Sequence, residues 1–304
     1  MAALRHVLVL GATGRLGGAL HRCYTMQGTG VTTLTRSDLD LGKPEQIASV
    51  LARHECDTII NAAGITDVDA CERDPREAYL ANFAGPEAVA KYCASHGLRM
   101  VNVSSDYVFA GDVHLPRTEM DEAKPANVYG RTKLEGEHAV LSAYPEAIVA
   151  RVSWLFGKEK PSFPDWILAR ALAGKEVRAV NDKWACPTLA DDLAEWLRAL
   201  LEQTTHCGVI HLVNGGHCSW QEYGQATLDI AARLGLPLKQ SVVEGHTMVG
   251  FAPFIAQRPA FSALDTSLFT KLTGLHPRPW QTALEAYLSE QYLGSDCPQR
   301  LANS

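Results

Sequence analysis

A glycine-rich segment close to the N-terminus constrains the fold of this chain more than any other feature. The apolar run His6-Val-Leu-Val-Leu10 is typical of a buried strand, and it leads directly into Gly11-Ala-Thr-Gly-Arg-Leu-Gly17. Residues 16–26 can follow as a helix. Glycines between a strand and a helix let the backbone turn sharply and approach a pyrophosphate, whose negative charge suits the helix N-terminus. The segment therefore predicts a dinucleotide site; the alternative is a glycine-rich turn that merely precedes a packed helix.

Strand-like and helix-like segments alternate along most of the chain. Apolar runs predict strands over 31–35, 57–61, 99–103, 147–152 and 208–213. Helices are predicted over 44–54, 75–96 with a break at Gly85-Pro86, 129 onward, 166–173, 191–201, 223–234 and 280–292, while 242–273 has no regular pattern. This alternation predicts an α/β fold with a Rossmann-type doubly wound parallel sheet.

The same pattern suggests how the chain is divided. We expect residues 1–155, with part of 180–220, to form an NAD(P)-binding Rossmann domain. Residues 156–294 are expected to form mainly a smaller C-terminal α/β substrate lobe, and 295–304 a frayed tail. Ligands of doubly wound sheets bind at the carboxyl ends of the strands. Segments 11–17, 62–64 and 104–106 all fall at that edge, so we expect the site there.

Tyr129 and Lys133 stand four residues apart where the sequence favours a helix, so they share one helix face. A phenol beside an ammonium can act as a general acid, and we expect the cation to pull the tyrosine pKa towards neutrality. Ser105, at a predicted strand end, can donate to a substrate carbonyl oxygen or orient the tyrosine. The alternatives are a solvated helix face and a serine that caps a turn.

Arg36 comes just past the end of the second predicted strand. An acidic residue at this point would hold the ribose 2′-hydroxyl of NAD, whereas a basic residue suits the 2′-phosphate of NADP. The sequence therefore favours NADPH over NADH, with an ordinary surface arginine as the alternative.

Composition excludes several other classes of protein. The 304 residues are 46% hydrophobic and 20% charged, as in a soluble globular protein, and the net charge of −6 without a basic block argues against nucleic acid or anionic membrane as the main partner. The N-terminal apolar run is too short to span a membrane. Eight scattered cysteines without a CxxC pair suggest reduced thiols, and eleven histidines without HExxH make a zinc site unexpected. We therefore expect a cytoplasmic enzyme or binding protein.

Several motifs occur in an order that resembles the dTDP-4-dehydrorhamnose reductase family of the extended short-chain dehydrogenase/reductase superfamily. They are GATGRLG at Gly11, NAAGITDVD at Asn61, SSDYVFAG at Ser104, VYGRTKLEGE at Val128, RVSWLFG at Arg151, NDKWACPT at Asn181, HLVNGGHCSW at His211 and QRPAFSALD at Gln257. The resemblance covers nearly the whole chain. It implies NAD(P)H-dependent reduction of the 4-keto group of a nucleotide-activated deoxysugar, dTDP-6-deoxy-L-lyxo-4-hexulose, in dTDP-L-rhamnose biosynthesis.

The resemblance also implies a role for individual residues of this chain. The catalytic set would be Ser105, Tyr129 and Lys133. The cofactor would contact Gly11, Thr13, Gly14, Arg15, Leu16, Gly17, Arg36, Asp40, Leu41, Ala62, Ala63, Gly64, Thr66, Val103, Tyr129 and Lys133. The sugar nucleotide would contact Ser105, Asp106, Trp154 and Arg258.

The chain also departs from the family pattern. Ala19 stands where some members carry an acidic residue linked to Mg²⁺, so we expect no metal. Ala70 replaces a usual basic residue, and Arg258-Pro-Ala-Phe-Ser-Ala-Leu264 lacks an asparagine and an arginine of the usual pattern. Two alternatives therefore stay open: a non-catalytic regulatory subunit resembling methionine adenosyltransferase subunit beta, and a reductase or epimerase for another sugar nucleotide. A homodimer is a further possibility.

Overall fold

The computed structural model describes residues 4–250 and 254–293, and a six-stranded parallel sheet lies at its centre. The strands are β1 (His6–Leu10), β2 (Gly30–Leu34), β3 (Thr58–Asn61), β4 (Arg99–Ser105), β5 (Ile148–Val152), β6 (Leu155–Phe156), β7 (Arg178–Val180), β8 (Trp184–Ala185), β9 (Thr188–Leu189), β10 (Gly208–His211), β11 (Cys218–Ser219) and β12 (Glu244–His246).

Eleven α-helices are present in the described part of the chain. They are α1 (Arg15–Met26), α2 (Pro44–Leu51), α3 (Val68–Arg73), α4 (Pro75–Tyr79), α5 (Gly85–His96), α6 (Val128–Ala143), α7 (Phe163–Leu172), α8 (Ala190–Gln203), α9 (Trp220–Arg233), α10 (Ser267–Thr273) and α11 (Trp280–Leu293). A π-helix covers Leu80–Ala84, and short 3₁₀ turns cover Asp106–Val108 and Met248–Gly250.

The strand order of the central sheet is β10-β5-β4-β3-β1-β2. The chain starts in β1, adds β2 on one side and then crosses to β3 on the other, so the direction of winding reverses at β1. A crevice forms outside the carboxyl ends of the strands at such a switch point. The predicted doubly wound parallel sheet is thus confirmed, and the glycine-rich turn lies at the switch point.

Alternate residues of β1 explain why its sequence is apolar throughout. Val7 and Val9 face one hydrophobic cluster with α1 and α8, and Leu8 and Leu10 face a second cluster with α2 and α5. A parallel strand covered by helices on both faces has no solvated side, so both sets of side chains are buried. These two clusters hold the sheet between two helical layers.

The second half of the chain packs α7, α9 and α11 around an aromatic cluster that contains Phe156, Tyr223, Trp280 and Tyr287. A capping box starts α9: the side chains of Ser219 and Glu222 each accept from the other's backbone N–H. In contrast, β10 is an edge strand of the central sheet, and α8 packs against that sheet as part of its hydrophobic core. The proposed domain boundaries themselves stay a prediction.

Three sequence expectations differ from the structure. Residues 75–96 are not broken at Gly85-Pro86: the backbone stays helical through Ala84 and Gly85, and the wider turns of the π-helix join α4 to α5 just before the proline. The unpredicted α3 is short and depends on its cap, Asp67, which accepts from the Ala70 N–H at 2.9 Å. The region 242–273 contains β12, which pairs with distant β7, and α10.

Several other expectations concern the chain as a whole. Within residues 4–250 and 254–293, no helix is long and apolar enough to cross a membrane. The seven cysteines in those ranges are free. The predicted frayed tail at 295–304 lies outside the described residues.

Candidate active site

A cavity of about 600 Å³ opens at the carboxyl ends of β1, β3, β4 and β5. It brings together the following predicted residues: Gly11, Thr13, Gly14, Arg15, Leu16, Arg36, Asp40, Leu41, Ala62, Ala63, Gly64, Thr66, Val103, Ser105, Asp106, Tyr129, Lys133 and Trp154. Residues that the sequence analysis did not single out complete the wall: Leu39, Ile65, Val68, Ala81, Ser104, Tyr107, Val152, Leu155 and Lys160. The predicted cofactor, catalytic and sugar-binding residues therefore line one cavity, except for Gly17 and Arg258.

The N-terminus of α1 faces this cavity and suits a pyrophosphate. Gly14 is the N-cap, no side chain caps the helix, and its first turn carries no acidic residue. Gly17 packs behind the turn, where a Cβ would lie 2.2 Å from the Gly11 carbonyl oxygen. Gly17 therefore allows α1 to pack closely against the glycine-rich turn. The uncapped backbone amides at the start of α1, together with Arg15, suit an anionic ligand.

Tyr129 and Lys133 lie on the first turns of α6, and both are buried. Asn127 caps this helix by accepting from the Gly130 N–H at 2.8 Å, which fixes its start at Val128, one residue before Tyr129. The Lys133 Nζ donates to the Val103 carbonyl oxygen at 2.6 Å. The helix thus holds the phenol and the ammonium at the end of β4.

The pKa values of this pair differ from the sequence expectation. Burial raises the pKa of Tyr129 well above its ordinary value, and a hydrogen bond from Ser105 opposes that rise. Burial lowers the pKa of Lys133 to about 8, with the Glu137 carboxylate acting in the opposite direction. The expectation that Lys133 brings the tyrosine pKa towards neutrality is wrong for this structure, because desolvation of the phenolate dominates.

A buried ion pair supports Lys133 from one helical turn further along α6. Glu137 accepts from the Arg151 guanidinium, with Nη2 and Oε2 2.6 Å apart, and from the Ser104 hydroxyl at 2.5 Å. Both partners of the ion pair are almost fully buried. The i, i+4 spacing to Lys133 is visible in the sequence, but the partners Ser104 and Arg151 come from β4 and β5.

Asn82 is a positioning residue that the sequence analysis did not identify. It lies in the π-helix, and its buried side chain bonds to the backbone of Ile65 and to the hydroxyl of Thr132. The Gly136 position on α6 permits this packing, since a Cβ there would lie 2.1 Å from the Asn82 carbonyl oxygen. The only sequence signal is a polar residue in an apolar helical stretch.

Asp106 lines the cavity but is mostly enclosed by protein. Its carboxylate accepts hydrogen bonds from the hydroxyls of Ser105, Ser153 and Ser262. Burial raises its pKa, while Lys183 and the three serines act in the opposite direction. The predicted sugar contact would therefore share this carboxylate with three internal donors.

Trp154 adopts a backbone conformation that is uncommon for a residue with a side chain, with φ of 42°. Its ring packs against Phe163, Trp220 and Tyr223 at centroid distances of 5.2, 5.3 and 4.9 Å. Such backbone strain costs on the order of 1–3 kcal/mol and clusters at ligand sites. The geometry therefore supports the predicted site role, while the aromatic cluster also gives Trp154 a packing role.

Arg36 lies at the outer end of the cavity and is largely exposed. Its guanidinium pairs with Glu77 at 2.9 Å and with Asp40 at 3.7 Å. A second pocket of about 220 Å³ adjoins it and is lined by Ser37 and Lys43 among others. Arg36 and Lys43 are the cations that line this second pocket, and Asp38 and Asp40 are its carboxylates. A 2′-phosphate would need the cations, and Glu77 and Asp40 compete for Arg36.

Arg258 is not among the residues that line the cavity. Its Nη1 pairs with Asp69 at 3.0 Å and its guanidinium stacks over Phe254 at 4.7 Å. Its predicted diphosphate contact stays a prediction. Ala19 is fully buried in the core, and the described residues contain no group of three or more His, Cys, Asp or Glu side chains that could hold a metal.

Comparison with known proteins identifies the family. The family profile described as RmlD substrate binding domain matches residues 5–293. A dTDP-4-dehydrorhamnose reductase of Mycobacterium tuberculosis is 34% identical over 308 residues, covering 98% of this chain and 97% of that protein. This chain belongs to the dTDP-4-dehydrorhamnose reductase family.

Two further members of the comparison bear on the site. A dTDP-4-dehydrorhamnose reductase from Bacillus anthracis, solved in complex with NADP, matches with a TM-score of 0.87 and 27% identity over 95% of this chain and all of that one. A probable dTDP-4,6-dihydroxy-2-methyloxan-3-one 4-ketoreductase of Streptomyces antibioticus is 34% identical over 279 residues, covering 91% of this chain and 92% of that protein. The chain is therefore similar to relatives that are named for two different dTDP-linked keto sugars.

Proposed function

We propose that this member of the dTDP-4-dehydrorhamnose reductase family reduces the 4-keto group of dTDP-6-deoxy-L-lyxo-4-hexulose with NADPH, in dTDP-L-rhamnose biosynthesis. The observation that carries the proposal is that Ser105, Tyr129 and Lys133 meet in the cavity that also contains the glycine-rich turn. The relatives named for this reaction match the chain over nearly its full length.

The residues of the cavity fit a nicotinamide dinucleotide. The pyrophosphate would lie at the uncapped N-terminus of α1, beside Gly14 and Arg15. The adenosine end would lie against Asp40 and Leu41, with Arg36 beside the 2′-phosphate. Lys133 would hold the nicotinamide ribose, and the bound cofactor would supply the hydride.

Tyr129 has the properties of the general acid for a reduction. Because burial raises its pKa, its hydroxyl carries a proton at neutral pH and can give it to the alkoxide oxygen that forms at C4. The Lys133 ammonium and the Ser105 hydroxyl favour the phenolate that is left behind. Asp106 and Trp154 would orient the sugar ring, and Arg258 would have to leave Asp69 to reach the diphosphate.

The test is NADPH and NADH oxidation with dTDP-6-deoxy-L-lyxo-4-hexulose, with and without Mg²⁺. We expect turnover that prefers NADPH and does not depend on Mg²⁺. The matched control is Tyr129→Phe, which keeps the ring but removes the acid; it should bind NADPH normally and lose roughly 10²- to 10⁴-fold in kcat. Undiminished turnover by this variant would exclude Tyr129 as the acid.

A second candidate substrate is favoured by one observation, the similarity to the Streptomyces ketoreductase. The test therefore includes a second dTDP-keto sugar with a different hydroxyl pattern. Turnover of that sugar alone would support this candidate. Firm NADPH binding without turnover of either sugar would instead support the regulatory-subunit alternative. The homodimer and the cytoplasmic location stay predictions, and light scattering at several protein concentrations would test the first.

A further inference from the structure

Lys160 differs from the other cations of the cavity wall because no described residue pairs with it. The other three cations that line the cavity are Arg15, Arg36 and Lys133, and each of them has a hydrogen bond or an ion pair within the protein. Lys160 is exposed, and it has neither kind of contact among the described residues. Its three ammonium donors are therefore available to a ligand in the cavity.

The loop that carries Lys160 lies between β6 and α7 and is fixed to the first turns of α1. On one side of Lys160, the Arg22 guanidinium forms an ion pair with the Glu159 carboxylate. On the other side, the Arg15 Nη2 donates to the Pro161 carbonyl oxygen at 2.5 Å. Both chain neighbours of Lys160 are thus bound to the helix whose N-terminus faces the cavity. Lys160 is therefore held beside that helix terminus.

Close packing at Gly18 brings the same loop against α1. A Cβ at this position would lie 2.4 Å from Glu159 Cγ and 2.6 Å from Glu159 Oε1, so any other residue would displace the Glu159 side chain. Because Arg22 is the counter-charge of Glu159, this carboxylate competes little for the ammonium of Lys160. The loop therefore directs its carboxylate towards α1 and leaves its cation to the cavity.

We propose that Lys160 binds the pyrophosphate of the nicotinamide cofactor, as a second cationic contact beside Arg15. Gly14, Arg15 and Leu16, at the start of α1, line the same cavity as Lys160. A pyrophosphate carries two negative charges, which the helix N-terminus and charge-assisted hydrogen bonds stabilise. The inference rests on the proposed use of NADPH and not on the identity of the keto sugar. The diphosphate of the sugar nucleotide has the same chemistry, so the test must distinguish the two.

The test compares Lys160→Gln with Lys158→Gln in fluorescence titrations of NADPH and NADH. Because both cofactors contain the pyrophosphate, Lys160→Gln should weaken the binding of each by roughly 5-fold, as expected for one exposed charge-assisted contact. Lys158 does not line the cavity and pairs with Glu290, so the same chemical change there should leave both dissociation constants unchanged. Equal binding by the wild type and Lys160→Gln would overturn the proposal, and so would a loss confined to NADPH.

Charge and ligand are tested by two further titrations. The difference between the wild type and Lys160→Gln should shrink when salt is raised from about 50 mM to about 500 mM, because salt screens exposed charges. Lys160→Arg keeps the charge and should bind both cofactors as the wild type does. The probe for the other diphosphate is dTDP, whose binding Lys160→Gln should not change. Weaker dTDP binding with unchanged cofactor binding would assign Lys160 to the sugar nucleotide and overturn the proposal.

A double-mutant cycle tests whether the loop positions Lys160. Glu159→Gln weakens the ion pair with Arg22 and should weaken NADPH binding roughly 2-fold, but should have no effect in the Lys160→Gln background, where the loop presents no cation. An equal effect in both backgrounds would overturn this positioning role. If the wild type bound neither cofactor, the proposed function would fail together with the inference. If the wild type bound NADPH and Lys160→Gln bound it equally well, the inference alone would fail.

Discussion

Asn82 holds Ile65 by both of its backbone polar groups. The Ile65 N–H donates to Asn82 Oδ1 at 2.9 Å, and Asn82 Nδ2 donates to the Ile65 carbonyl oxygen at 3.0 Å. The same Nδ2 also donates to Thr132 on α6 at 3.3 Å. One side chain in the π-helix therefore ties the loop after β3, which lines the cofactor end of the cavity, to the helix that carries Tyr129 and Lys133.

The first prediction concerns this residue. Asn82→Ala removes three hydrogen bonds and should lower the free energy of unfolding by about 3 kcal/mol, at roughly 1 kcal/mol for each bond. It should also weaken NADPH binding, because the loop at Gly64 and Ile65 loses its anchor. Urea unfolding and fluorescence titration measure the two effects. Thr132→Val removes one of these three bonds together with the bond from the Thr132 hydroxyl to the Tyr129 carbonyl oxygen, so it should cost about 2 kcal/mol and is the graded control; if it equalled Asn82→Ala, the Ile65 contacts would be unimportant.

The second prediction concerns the buried ion pair under Lys133. Glu137→Gln leaves the Arg151 guanidinium buried without its counter-charge, so the free energy of unfolding should fall by roughly 3–5 kcal/mol. Glu135→Gln makes the same chemical change at an exposed position of α6 and should cost less than about 0.5 kcal/mol. Equal stability of the two variants would show that the pair contributes nothing.

The third prediction is a pH dependence of cofactor binding. The pKa of Lys133 is lowered to about 8, so its ammonium is present below that pH and is lost as the pH rises through it. If the ammonium holds the ribose, the NADPH dissociation constant should stay level below pH 8 and increase above it. Lys133→Met should bind more weakly at all pH values and lose this dependence. A wild-type constant that does not change between pH 7 and 9.5 would contradict the role.

The fourth prediction separates Arg36 from its acidic neighbours. Arg36→Ala should weaken NADPH binding by roughly 10-fold and leave NADH binding nearly unchanged, since one charge-assisted contact to the 2′-phosphate is lost. Glu77→Gln should instead strengthen NADPH binding, because the carboxylate that pairs with Arg36 at 2.9 Å no longer competes. Arg76→Ala on the exposed face of α4 is the control. If Arg36→Ala weakened NADPH and NADH binding equally, Arg36 would not be the residue that selects the 2′-phosphate.

The parts of the site that could be predicted are those with a local origin. Apolar strands followed by glycines, serines and small residues mark the carboxyl edge of a parallel sheet, and a helical spacing of four places Tyr129 and Lys133 on one face. Strand order and handed crossovers then bring these edges together in nearly every such fold. The fold, and the meeting of Ser105, Tyr129 and Lys133 in one cavity, therefore follow from short-range patterns.

The remaining features depend on distance and on burial. Asp106 accepts from its neighbour Ser105, but its other two donors, Ser153 and Ser262, are 47 and 156 residues away along the chain. No spacing along the chain predicts that these distant serines meet it. The pKa of Tyr129 depends on how much water the folded protein excludes from the phenol. Burial raises this pKa, whereas the sequence analysis expected it to be lowered. Local backbone preference and hydrophobic periodicity depend on residues that are close in the sequence, so they can be predicted from it. Desolvation and hydrogen bonds across 47 or 156 residues exist only once the chain has packed.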